Sequence, residues 1–288
     1  MRKKGSGAKE LWAARVLFAS CCIWLFLGSA AYPQTPREEA TEILQTGLSE
    51  HETGKRAAAV AALGLLQNEP WAIEAAEKAL GDKKPAVRGA AATALGQMGA
   101  KSAAPLLKAA LEDKENRVFF AAADSLLSMG EASGYEVYYE ILTGERKSGQ
   151  GLIGAKKKLI TDPRALVVLG VGVGISYAPY AGYGWMVWQE LSKDYATPVR
   201  INALKKLAND PDSRIGEALA RAACDKHKAV RVAALFAIGR HDDPNLIVPI
   251  TPHMRDKKAP VRYMAAAAVL RLSSLVAVDD STEMATRR

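Results

Sequence analysis

Polar and apolar positions along the chain recur in one frame. An acidic residue opens a short polar loop, a valine follows five residues later with an arginine or phenylalanine beside it, and an apolar residue stands seven positions further on. Five segments fit this frame: Asp82 to Arg88 (DKKPAVR), Asp113 to Phe119 (DKENRVF), Asp194 to Arg200 (DYATPVR), Asp225 to Arg231 (DKHKAVR) and Asp256 to Arg262 (DKKAPVR). The apolar residues that close them are Leu95, Leu126, Leu207, Ile238 and Val269. Val87 and Val118 are 31 residues apart, as are Val199, Val230 and Val261. A sixth, earlier copy keeps the frame with Glu50, Arg56 and Leu63. A fixed period in this range denotes stacked supersecondary units.

Each unit reads as two helices. Pro85 and Pro260 suit a first helical turn, where no amide hydrogen bond is lost, and the valine with the alanines after it forms an inward stripe at helical spacing. Gly64, Gly96 and Gly239 are placed to end the first helix. A second follows, as over Ala103 to Leu111 with Leu106, Leu107 and Leu111 on one side, while Asp210-Pro211-Asp212 and Asp242-Asp243-Pro244 carry N-cap chemistry. Two such helices cannot bury their apolar faces alone, so neighbouring units must stack.

At these residues the chain resembles the HEAT-like repeat family, in the short form associated with phycobilin lyases, over about Glu50 to Leu142 and Asp194 to Leu275. The resemblance implies an all-α fold, an α-α superhelix, in which a loop acid and a helix arginine hydrogen-bond from unit to unit. The ladder positions would be Glu50, Asp82, Asp113, Asp194, Asp225 and Asp256 with Arg56, Arg88, Arg200, Arg231 and Arg262. Phe119 departs from this pattern, where arginine would stand.

The frame breaks between the two blocks. Residues 143–193 read as a Gly-rich apolar insert, and within it Ala165 to Gln189 carries no charge over 25 residues. As one helix that stretch would reach about 38 Å, enough for a hydrocarbon core of about 30 Å. Pro179 interrupts it, and a single crossing would place the two blocks on opposite sides of the membrane, so the expectation is a hairpin. Gly170, Gly174, Ala178 and Gly182 give it a small-residue face; Tyr177, Tyr180, Tyr183, Trp185 and Trp188 supply amphipathic rings suited to an interface. Packing against the array, membrane contact and a partner surface all remain open for it. Tyr135, Tyr138 and Tyr139 are further candidates for an interaction surface.

Ahead of the repeats, a basic opening leads into the apolar run Val16 to Leu27 and then Gly28, Ser29, Ala30 and Ala31, the order of a secretory signal peptide. The expectation is export to the periplasm or cell envelope, with residues 1–31 removed near Ala31; an uncleaved anchor is the alternative. Residues 32–49 are read as a linker or cap, 50–142 and 194–275 as the repeat blocks, and 276–288 as a polar tail. Half of the net charge of +8 lies in the first fifteen residues. The remainder sits where each recurring arginine has an acid six residues earlier, which argues against nucleic acid as partner. The chain has 288 residues, 49% of them hydrophobic and 7% aromatic, with about 52 alanines, a composition for close-packed helices. Outside the leader only Cys224 remains, so no internal disulfide is expected, and Cys224 is read as a small core residue.

Candidate chemistry is thin. Gly149-Gln-Gly151-Leu-Ile-Gly154 has phosphate-loop spacing but follows a charged loop instead of a strand. The HEAT-like group includes a metal-dependent hydroxylase that binds iron through several His-Glu pairs; here only His51-Glu52 forms such a pair. His227, His241 and His253 are scattered and read as loop or capping residues. No catalytic, cofactor or metal residue is therefore assigned. The expected function is a non-catalytic scaffold for a protein partner, with a metal-dependent oxidoreductase or lyase and a peripheral membrane adaptor acting through residues 165–189 as alternatives.

Overall fold

Proline at the start and a left-handed residue at the end delimit the helix Pro85–Met98. Pro85 occupies its first turn, and Gly99, at φ 66°, closes it by returning its amide to the last carbonyls. The computed structural model describes residues 35–67, 69–143, 196–210 and 212–286. Its helices are α1 (Pro36–Leu48), α2 (Thr53–Ala62), α3 (Pro70–Ala79), α4 (Pro85–Met98), α5 (Ala104–Ala110), α6 (Asn116–Ser128) and α7 (Ala132–Thr143). After the undescribed residues come α8 (Ala196–Leu207), α9 (Ser213–Ala222), α10 (Lys228–Arg240), α11 (Ile247–Ile250) and α12 (Ala259–Thr286). Short 3-10 turns at Leu63–Leu65, Lys101–Ala103, Pro244–Leu246 and Thr251–Arg255 join several of them. No strand occurs among the described residues. The fold is an all-α stack of helix pairs.

Spatial order differs from chain order. The first helices of the units form a row that runs α8, α10, α12, α2, α4, α6, each packed on the next. The second block thus precedes the first, and the two meet where α12 lies against α2. The second helices flank this row: α9 packs on α10, α11 with the turn after it on α12, α3 on α4, and α5 and α7 on α6. The slot beside α12 and α2 is filled by α1, which packs on both. The N-terminal helix therefore completes the unit that the C-terminal helix begins. Residues 32–49, read from the sequence as a linker or cap, contain this structural helix, with Ala40, Leu44 and Gly47 buried. Helix α12 likewise continues through Thr286, beyond the boundary set at 275.

The core explains the alanines. In α4, α10 and the first half of α12, as far as Leu272, most residues are buried, because helices press on these helices from several sides and small side chains let the backbones approach. Val87, Val118, Val230 and Val261 are buried, as are Leu63, Leu95, Leu126, Ile238 and Val269. Helix α8, the first of the row among the described residues, breaks the rule: Val199 is 70% exposed and Leu207 39%.

Three local expectations are corrected. Gly96 and Gly239 do not end their helices but lie inside them, and Gly64 sits in the 3-10 turn that extends α2. They are small because neighbours are close: a methyl on Gly96 would fall on Ser125, one on Gly64 on Gln97, and one on Gly239 within 2.8 Å of Leu65 Cδ1. Gly99 ends α4, and Asp242, at φ 54°, stands two residues beyond the end of α10. Leu106 is exposed whereas Leu107 and Leu111 are buried, because only the latter two, four apart, share the inward face. Cys224 is exposed, since it lies in the turn after α9 and not within the helix.

Candidate functional site

The recurring acids and arginines form a bonded series. Arg56 donates through Nε to Asp82 Oδ2 at 2.8 Å, and Arg88 through Nε to Asp113 Oδ2 at 2.6 Å. Arg231 donates through Nε to Asp256 Oδ2 at 3.0 Å, and Arg200 through Nη1 to Asp225 Oδ2 at 2.7 Å. Arg56, Arg88 and Arg231 add a second bond through Nη2, giving the bidentate form. Each of those three also turns Nη1 back to the backbone carbonyl of its own loop acid: Glu50, Asp82 and Asp225. One guanidinium thus clips its own loop and the next unit together.

The acids have a second task that fixes their identity. Asp82, Asp113, Asp225 and Asp256 each accept, through Oδ1, from the backbone amide two residues on, closing an Asx turn ahead of the next helix. Aspartate is short enough to do both. The Arg56 guanidinium, together with the Lys84 amide, holds the Asp82 carboxyl below the usual carboxylate range against the opposing effect of burial. His227 also approaches Asp225, with Nδ1 at 3.1 Å from Oδ1.

Glu50 is the exception, and it stands at the junction of the blocks. Arg262 keeps the loop clip to the Asp256 carbonyl at 2.9 Å, but Glu50 Oε1 accepts from the Tyr263 hydroxyl at 3.2 Å. The Arg262 guanidinium lies 6.0 Å from the Tyr263 ring centroid. Tyr263 is almost fully buried, and burial, with the Glu50 charge and hydrogen bond, pushes its phenol up to about 12. Arg255 pairs with Glu39 on α1 at 3.0 Å, a further tie across the junction. Where Phe119 replaces arginine, its ring is buried and meets Phe120 edge-on at 4.9 Å. It belongs to α6, the last first-helix of the row among the described residues.

The other sequence candidates separate. Tyr135 is 55% exposed and stacks on Tyr139 at 6.0 Å, whereas Tyr138 is half-buried and donates to Asp124. Tyr177, Tyr180, Tyr183, Trp185, Trp188 and Asp194 lie outside the described residues, as do the leader and the hairpin. Among the described residues no three His, Cys, Asp or Glu side chains are grouped to hold a metal ion. No helix among them is long and apolar enough to cross a membrane. His241 Nδ1 lies 3.2 Å from the Ala208 carbonyl, and His253 Nε2 lies 3.8 Å from Cys224 Sγ.

A cleft of about 370 Å³ opens at the opposite end of the row's helices. Gln67 and Gln97 reach it from the first block; Asn209, Arg240, His241, Asp242 and Arg271 reach it from the second. Sequence reasoning missed these residues because the frame it followed ends at the apolar residue seven past the arginine, and the cleft residues stand beyond that point. Their one legible signal is position: Gln97, Asn209, Arg240 and Arg271 each stand nine residues after the ladder arginine of their unit, and Arg240 and Arg271 repeat one residue type at the 31-residue spacing.

Stacked helix pairs clipped by a recurring acid and arginine define an α-helical repeat array. The HEAT-repeat sequence pattern matches residues 36–131 and 187–274, and the chain belongs to the HEAT repeat family. No protein of curated function matches it. Among solved structures it is similar to human deoxyhypusine hydroxylase in complex with glycerol, at 19% identity over 83% of this chain and 97% of that chain, with a TM-score of 0.34. It is also similar to the CpcE–CpcF complex of phycocyanin lyase from Nostoc sp. PCC7120, at 18% identity over 84% and 97%, with a TM-score of 0.32. An engineered protein matches at 14% identity over 82% and 97%, with a TM-score of 0.30.

Proposed function

We propose that this chain is a non-catalytic scaffold that binds a protein partner, exported to the periplasm or cell envelope. The observation that carries the reading is the ladder. The ladder acids and arginines that recur from unit to unit are engaged with one another and with backbone carbonyls, so they serve to hold the array together. Such arrays bind through side chains spread over several units, with a few anchors supplying most of the energy. Export is supported by the basic, apolar and small-residue order of residues 1–31.

Retention from an envelope extract tests the scaffold role. The immobilised full chain should hold one protein partner near stoichiometry, and absence of any retained partner would overturn the reading. Metal analysis tests the enzymatic alternative: an equivalent of tightly held iron or zinc in purified protein would replace the scaffold with an oxidoreductase. Mass spectrometry of the N-terminus should find the mature chain starting near Tyr32; a retained Met1 would mean an anchor instead.

A further inference from the structure

We infer that the cleft between the two blocks is a docking site for one carboxylate of a partner peptide, with the Arg240 guanidinium as its anchor. The inference rests on the scaffold reading and names the chemistry of the partner at one place. The cleft contains two guanidinium groups and one carboxylate. Arg271 Nη2 already donates to Asp242 Oδ1 at 2.9 Å, so that pair is satisfied internally and shows that the site accommodates a carboxylate on a guanidinium. Arg240, in the last turn of α10, is exposed and has no ion pair or side-chain hydrogen bond among the described residues. Gln67 and Asn209 line the same cleft, exposed, and offer amide donors beside it.

Charge and size select the occupant. With Arg271 paired to Asp242, the Arg240 guanidinium is left as one unpaired positive charge, which one carboxylate balances. A doubly charged phosphate would keep one negative charge unbalanced beside the single free guanidinium. The volume admits one or two side chains of a peptide and excludes a nucleic-acid duplex. The residues come from both blocks, so the cleft exists only in the assembled row.

Two capped probes separate the sources of the carboxylate: acetyl-tetraglutamate amide carries it on side chains, and acetyl-tetraglutamine with a free C-terminus carries it on the backbone. Titration calorimetry on the full chain should show binding of at least one. Arg240→Glu should weaken that binding about tenfold or more, and Arg240→Gln should weaken it about as much as losing a charge-assisted hydrogen bond requires. Lys114→Glu makes the same charge change at an exposed residue on the far, ladder edge and should leave binding within about twofold. All variants should keep the thermal midpoint within about 2 °C of the parent, because Arg240 makes no ion pair or side-chain hydrogen bond among the described residues. Failure of both probes to bind, or equal weakening by Arg240→Glu and Lys114→Glu, would overturn the site. The scaffold reading is judged separately. A partner retained equally by the parent and Arg240→Glu removes the cleft and leaves the scaffold, whereas Arg240-dependent probe binding with no retained partner leaves the cleft and removes the scaffold.

Discussion

Truncating Leu44 to alanine probes the junction on which the order of the row depends. Leu44 is fully buried on α1, in the slot shared by α12 and α2. Removing a buried leucine from a packed core costs about 3 kcal/mol, part transfer free energy and part cavity. Neighbours on this helix leave little room to collapse around the void: Gly47 is already so close to the Tyr263 ring and Ala59 that an added methyl would come within 2.6 Å of Tyr263 Cε1 and 2.8 Å of Ala59 Cβ. A loss of that size should lower the thermal midpoint by about 6 to 12 °C in a chain of this length. Repeat arrays depart from two-state unfolding, so the decisive readout is local. Native-state hydrogen exchange should show protection lost in both α2 and α12, around Val60 and around Met264, because α1 braces both. If protection falls in α2 alone and α12 is unaffected, α1 is merely a cap on the first block and the head-to-tail order is wrong.

Other consequences follow from the same contacts. Arg88→Ala removes a bidentate bond to Asp113 and a loop clip, both largely shielded from solvent, and should cost about 2 kcal/mol in urea denaturation. Because the Asp82 carboxyl is held below its unfolded value, its pairing contributes fully above about pH 4 and is lost as pH falls through the lowered folded value; Asp82→Asn should flatten that part of the acid-stability curve. For Tyr263 the sign is reversed. Its phenol is raised to about 12, so its contribution is complete below about pH 10 and lost as pH rises through about 12, and Tyr263→Phe should remove this alkaline step from an ultraviolet titration while costing about 1 kcal/mol at neutral pH. Cys224 is exposed, so a maleimide should label it in the folded protein; peptide mapping that finds it labelled only after denaturation would contradict its placement in the turn.

The repeat was legible because its frame is set by local chemistry. An aspartate that closes an Asx turn and an arginine six residues on leave a mark in every unit, and the intervening alanines report helices pressed from several sides. The termination of α4 was misread for a comparable reason: glycine signals both a left-handed helix end, as at Gly99, and a close helix contact, as at Gly96, and spacing alone does not separate the two. Cys224 illustrates the limit of residue type, since a cysteine common in cores sits here in a turn. The cleft was illegible because Gln67 meets Asn209, Arg240 and Arg271 only through the order of the blocks, although the last three recur at the 31-residue spacing.

That order was written in the sequence as small irregularities whose meaning needed the structure. Glu50 breaks the aspartate rule, and Tyr263 follows an arginine that lacks the usual acid of the next unit. Both sit at the contact between α12 and α2, where the chain does not run continuously from one unit to the next. A contiguous junction can rely on its own loop for register. This one joins residues more than two hundred positions apart, and it is held by a longer acid reaching a buried phenol, by a glycine that admits the ring, and by the Arg255–Glu39 pair. The cleft at the far end of the same helices takes Gln67 and Gln97 from one block and Arg240 and Arg271 from the other. Stability and recognition therefore meet in one interface: the contacts that set the register of α12 on α2 also set the separation of the groups that face the carboxylate.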